Sequence, residues 1–172
     1  GILPPLKKQY RDYVEWERRY LSSEVYAADR LFWKSKSLET YNELNIPRDF
    51  DVRTRKTYEC GTVANVIDKD TVAKLTAYGR SKNSSMFMTL LGAVNLLLHK
   101  LSYQNDIVVK TPVTNMYESG FQENIGMFTN TVLLANTIDV KSSIDKFIET
   151  VKKNCLEIYR HMNYPYSEVI AD

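Results

Sequence analysis

Polar and apolar positions alternate along this chain in two distinct periods, and the switches between them outline its elements. Residues 10–21 put Tyr10, Tyr13, Trp16 and Tyr20 on one helical face, and Ser22-Ser23 breaks the pattern before a second helical stretch through Val25, Ala28, Leu31 and Phe32. Residues 37 to about 56 lose all period, and Pro47 keeps Ile46 out of helix, so an extended connection is expected there. "YECGTVANVID" alternates and predicts a strand near 58–67. Asp68 is then a helix N-cap for 69–82, and Ser85 caps the next helix, 86–101, which is apolar nearly all round and is expected to lie buried between layers. Strands are predicted near 106–114 and 128–138. A long amphipathic helix, near 143–162, carries Ile144, Phe147, Ile148, Val151, Cys155, Ile158, Tyr159 and Met162 on one face. This order predicts an α/β layered sandwich.

One strand holds an oddity. In "ENIGMFTNTVLL" the apolar run 132–134 is ordinary strand material, but Gly126 and Asn130 are poor strand formers. A glycine suits a close approach of backbone or substrate. An asparagine offers both a donor and acceptors, which suits an amide-bearing group or a tie from the strand end to a neighbouring loop.

Composition narrows the picture. At 172 residues, with 44% hydrophobic and 26% charged residues and a net charge of +2, the chain reads as one ordinary globular domain without a strong nucleic-acid footprint. The basic clusters Lys7, Lys8, Arg11 and Arg53, Arg55, Lys56 read as solvated surface. The run 86–98 is too short to span a bilayer, and the two cysteines, Cys60 and Cys155, lack metal-ligand spacing. The expected setting is therefore the cytoplasm, with structural thiols. No phosphate loop, nucleophile elbow or metal cluster stands out. His99 reads as a core or helix-terminal histidine, and no catalytic residue and no metal site is assigned in this chain.

Three short motifs in fixed order carry more information. Tyr10, Asp12, Tyr13 and Trp16 match Tyr-x-Asp-(Tyr/Phe)-x-x-Trp. Ile125, Gly126, Phe128, Asn130 and Thr131 match Ile-Gly-x-Phe-x-Asn-Thr. His161, Asn163, Pro165 and Tyr166 match His-x-(Asp/Asn)-x-Pro-(Phe/Tyr). Together they resemble the condensation domains of nonribosomal peptide synthetases, across nearly the whole chain.

The resemblance implies one lobe of a chloramphenicol acetyltransferase-like two-lobe fold. Residues 1–57 would form a helical link from a first lobe plus an extended connection, and 58–172 the α/β core of the second lobe, short of its C-terminal end. It implies amide formation between acyl and aminoacyl thioesters held on the phosphopantetheine arms of donor and acceptor carrier-protein domains, with no cofactor bound by the chain itself. The family's His-His-x-x-x-Asp-Gly motif has no match here, so the chain alone is expected to be inactive. Baring the face of the absent lobe would favour self-association. Gly126, Thr129 and Asn130 are the implied substrate-binding residues. A related ester-forming acyltransferase and a noncatalytic carrier-binding platform remain alternatives. The chain departs from the family where arginines are usual: Met116 occupies one such position, and Leu134 and Ala135 the other.

Overall fold

The computed structural model describes residues 5–49, 60–114, 116 and 120–172. Its elements run α1 (Tyr10–Leu21), α2 (Glu24–Ser35), a short 3-10 turn (Leu38–Thr40), α3 (Lys69–Ser81), α4 (Met86–Ser102), β1 (Asp106–Thr114), β2 (Thr129–Thr137), α5 (Ile144–Arg160) and α6 (Tyr166–Ala171). The chain is α/β. The boundaries of α3, α4, β1, β2 and α5 follow the periodicity to within two residues, whereas α6 is not among the expected elements, and β1 and β2 pair in a two-stranded sheet. Pro112 is tolerated inside β1 because a strand of such a sheet has an unpaired edge.

The chain divides into two compact units. The first comprises Gly1–Tyr41, Val108–Ala135 and Asn154–Asp172. Here Asp12, the third residue of α1, accepts the backbone N–H of the N-cap residue Gln9 at 2.8 Å; the motif aspartate closes the start of the helix. Tyr13, Phe121 and Phe128 form a buried aromatic cluster, with Trp16 and Met116 packed against it. Met116, which stands where the family usually has arginine, therefore fills an apolar site. Trp33 and Tyr164 are also buried. α6 is held to α2 by Arg30 and Lys34, which both reach the Asp172 carboxylate.

The second unit comprises Asn42–Ile107 and Asn136–Lys153. Asp68 accepts the Thr71 N–H at 2.8 Å and Ser85 accepts that of Met88 at 3.2 Å, so both expected caps are present. α3 and α4 meet at 104°. Gly79 makes that corner possible, since a Cβ there would lie 2.9 Å from Thr89 Oγ1. At Gly92 an added Cβ would overlap Ile148 Cδ1, so α4 and α5 touch through a missing side chain.

Two expectations fail. Residues 60–67 form no strand and are exposed, with Val63 at 91% and Val66 at 97%; positions 58 and 59 lie outside the described residues. Alternation supplies a face but not a hydrogen-bonding neighbour, and no described strand offers one. α4 is not enclosed either. Met88, Leu91 and Asn95 are buried, whereas Phe87, Leu90, Val94, Leu97 and Leu101 form an exposed stripe along its other side. An all-apolar helix can be covered on every face, but only packing decides which faces are. Among the described residues no single helix is long and apolar enough to cross a membrane.

Candidate functional site

The three motifs converge within the first unit on a groove of about 240 Å³. One wall is α1. Its 3-to-4-residue spacing brings Tyr10, Tyr13, Trp16, Glu17 and Tyr20 to the same side. The opposite wall comes from Met127, Thr129 and Asn130 at the start of β2, and from Met162, Asn163 and Pro165 after α5.

Asn130 is the hinge of this arrangement. Its Nδ2 donates to the backbone carbonyls of Met162 at 2.8 Å and Tyr164 at 2.7 Å, and its Oδ1 accepts the Tyr166 N–H at 3.1 Å. Both amide hydrogens and one acceptor site are thus spent on the loop that carries the proline motif, while the residue still borders the groove. Thr129 is exposed at the first position of β2 and lines the groove beside it. Gly126 precedes the strand in a bend. A Cβ there would come within 2.6 Å of Tyr10 Cε2, so the close approach this glycine permits is that of the Tyr10 ring. Tyr10 completes the contact by donating its hydroxyl to the Met127 carbonyl at 3.2 Å.

Behind the groove lies a polar cluster that periodicity did not disclose. Asp29, only 3% exposed, accepts the Tyr20 hydroxyl at 2.6 Å and lies 2.7 Å from His161 Nδ1. The His161 ring stacks on Phe32 with centroids 3.8 Å apart, and its backbone carbonyl accepts the Trp33 indole N–H at 3.0 Å. Burial, and then the bond to Asp29, push the Tyr20 hydroxyl far above its ordinary pKa, so it donates throughout the physiological range. Burial and the Asp172 carboxylate do the same for Tyr164. Asp172 itself is held well below the usual carboxylate range, first by Arg30 and then by the Tyr164 hydroxyl. His161 therefore belongs to a brace joining α2 to the end of α5. The only sequence sign of it was a carboxylate one turn before Trp33 in an apolar helix. His99 is helix-terminal, its Nδ1 being 2.9 Å from the Gln104 carbonyl. Cys155 is buried and its thiol is pushed up to about 11, whereas Cys60 is exposed.

The groove and its motif framework coincide with a family match along the chain. The model of the Condensation domain family fits residues 2–172. The chain belongs to the condensation-domain family. Among its relatives are tyrocidine synthase 3 of Brevibacillus parabrevis, 33% identical over 168 residues, and bacitracin synthase 1 of Bacillus licheniformis, 33% identical over 172; each match covers 98% of this chain and 3% of the relative. In three dimensions the chain is similar to the X-domain from teicoplanin biosynthesis, with a TM-score of 0.84 at 21% identity over 98% of this chain and 39% of that one. It is similar also to the first condensation domain of the calcium-dependent antibiotic synthetase, solved with a substrate analogue, with a TM-score of 0.79 at 18% identity over 98% of this chain and 37% of that one. The fold is thus one lobe of the chloramphenicol acetyltransferase-like architecture, and the chain spans a small part of its curated relatives.

Proposed function

We propose that this chain is the later part of a condensation domain that joins carrier-bound thioesters in nonribosomal peptide synthesis. Residues 1–57 serve as the link from the first lobe and 58–172 as second-lobe core. In the reaction the amine nitrogen on an acceptor arm attacks the thioester carbonyl on a donor arm. The new C–N bond replaces the C–S bond, the pantetheine thiol leaves, and the amine proton passes to it.

The observation that best supports this reading is the meeting of all three motifs on one groove. Thr129 offers its hydroxyl at the groove edge, Gly126 admits the Tyr10 ring that shapes it, and Asn130 holds the proline-motif loop in register. Phosphopantetheine arrives on donor and acceptor carrier domains in the cytoplasm, and the chain binds no cofactor of its own. The chain alone is inactive, because among the described residues none at the groove stands as a general base with a hydrogen-bonded orienting partner, and such a base typically contributes on the order of 10²–10⁴-fold. The apolar stripe of α4 gives the isolated chain a route to self-association.

The test mixes the purified chain with loaded donor and acceptor carriers, with and without a first lobe bearing the two adjacent histidines. Amide product is expected only when that lobe is present. Product from the chain alone, lost on His161→Ala or His99→Ala, would refute the assignment. Ester product from a hydroxyl acceptor in place of amide would move the chain to the ester-forming branch.

A further inference from the structure

The groove combines an aromatic wall with one unengaged carboxylate. Along α1 the rings of Tyr10 and Tyr13, Tyr13 and Trp16, and Trp16 and Tyr20 stack with centroids 5.8, 5.5 and 5.8 Å apart. Glu17 lies one helical turn from Tyr13, lines the same groove and is half-buried. Among the described residues its carboxylate has no hydrogen-bond or ion-pair partner. The other acidic side chains of the helix are engaged, Asp12 with the Gln9 backbone and Glu15 with Arg11.

Three of the donors near it are committed. The Tyr10 hydroxyl goes to Met127, the Tyr20 hydroxyl to Asp29, and the Asn130 amide to the proline-motif loop. Beside the neutral Thr129 hydroxyl at its edge, the groove is left with one carboxylate acceptor, that of Glu17. A half-buried carboxylate is costly unless paired, and tyrosine and tryptophan faces attract cations. Neutral acyl chains would use the rings and leave the charge uncompensated. At 240 Å³ the groove is smaller than the roughly 300–1,000 Å³ of sites for drug-sized ligands, so it suits a single side-chain-sized group and not a whole pantetheine arm.

We infer that this groove selects a substrate bearing an ammonium group, with Glu17 pairing the charge and Trp16 and the tyrosine rings covering the carbon chain behind it. The inference rests on the condensation reading and deepens it by naming a substrate class. An ammonium has two sources in an aminoacyl substrate, its α-nitrogen or a basic side chain, and the same chemistry recognises both.

Trp16 reports on the groove directly, while Trp33, at 3% exposure, gives a constant fluorescence background. The chain is titrated with norleucine amide (α-ammonium), Nα-acetyl-lysine amide (side-chain ammonium) and Nα-acetyl-norleucine amide (neutral). At least one ammonium probe should bind about tenfold more tightly than the neutral one, and the order of the two charged probes identifies the source. Glu17→Gln should erase that preference with an unchanged urea midpoint, while Glu15→Gln should leave it intact. Equal binding of charged and neutral probes, no binding of any probe, or a preference that survives Glu17→Gln would overturn the inference. None of these results requires amide formation, so the condensation reading would stand or fall separately on the carrier assay.

Discussion

The groove region of the first unit and the α3–α4–α5 region of the second are held by opposite means. Around the groove, directional polar bonds dominate: Asn130 makes three to one loop, and Asp29 joins Tyr20 to His161. In the second unit, shape dominates. Gly79 and Gly92 let helices close on Thr89 and Ile148, and the buried amide of Asn95 leaves both of its polar atoms without hydrogen-bond partners. A buried polar side chain in the first region is thus a fastener, whereas Asn95 in the second is a burden. Replacing a buried amide by an apolar side chain should therefore have opposite signs at Asn130 and at Asn95.

The largest effect is expected at Asn130. Asn130→Ala removes three hydrogen bonds and strands backbone groups of the proline-motif loop, so urea unfolding should show a loss of about 2–3 kcal/mol. A loss below about 1 kcal/mol, with a large drop in condensation rate in the full domain, would instead make Asn130 a direct substrate contact. Next comes Gly92→Ala, whose methyl collides with Ile148; it should cost about 1–3 kcal/mol, and adding Ile148→Val should recover part of this.

Asn95→Leu reverses the sign. Replacing an unsatisfied buried amide with a side chain of similar size should stabilise the chain by about 1 kcal/mol in the same measurement. Destabilisation would reveal that the amide serves a purpose and would erase the contrast between the regions. The smallest effect concerns pH. The Lys82 ammonium, and then the Tyr78 hydroxyl, hold the Asp145 carboxyl below its ordinary pKa. A depressed carboxyl contributes stability that is present above its unfolded pKa and is lost as pH falls through the folded value. The unfolding midpoint of Asp145→Asn should therefore converge on that of the parent chain in acid and fall slightly below it at neutral pH.

Local signals were legible where the determinants are local. Asp68 and Ser85 mark their helix starts, and the period of α5 places Phe147, Val151 and Cys155 in the core, as the structure does. Residues 60–67 misled because pairing is a property of two segments and alternation of only one. The site residues show the same division. The unusual types of Gly126 and Asn130 announced a constraint, but their partners, Tyr10 and the loop 162–166, lie elsewhere in the chain and leave no mark at positions 126 and 130. Glu17 was missed because a charged residue in a helix reads as surface, although its place on the face of Tyr13 and Tyr20 was the available clue.

The span of the Asn130 bonds has a bearing on how the chain is made. They reach 32 to 36 residues ahead in sequence, and the Asp29–His161 contact reaches 132. Contacts of such separation form late, after loop-closure entropy has been met by other packing. On a ribosome working from the N-terminus, the aromatic ladder of α1 emerges long before its covering partners. For that interval, which at roughly 5–20 residues per second lasts on the order of ten seconds, its rings face water or whatever else is near. The groove is thus finished late, and a chain stalled before residue 162 would have the ladder without the loop that closes it.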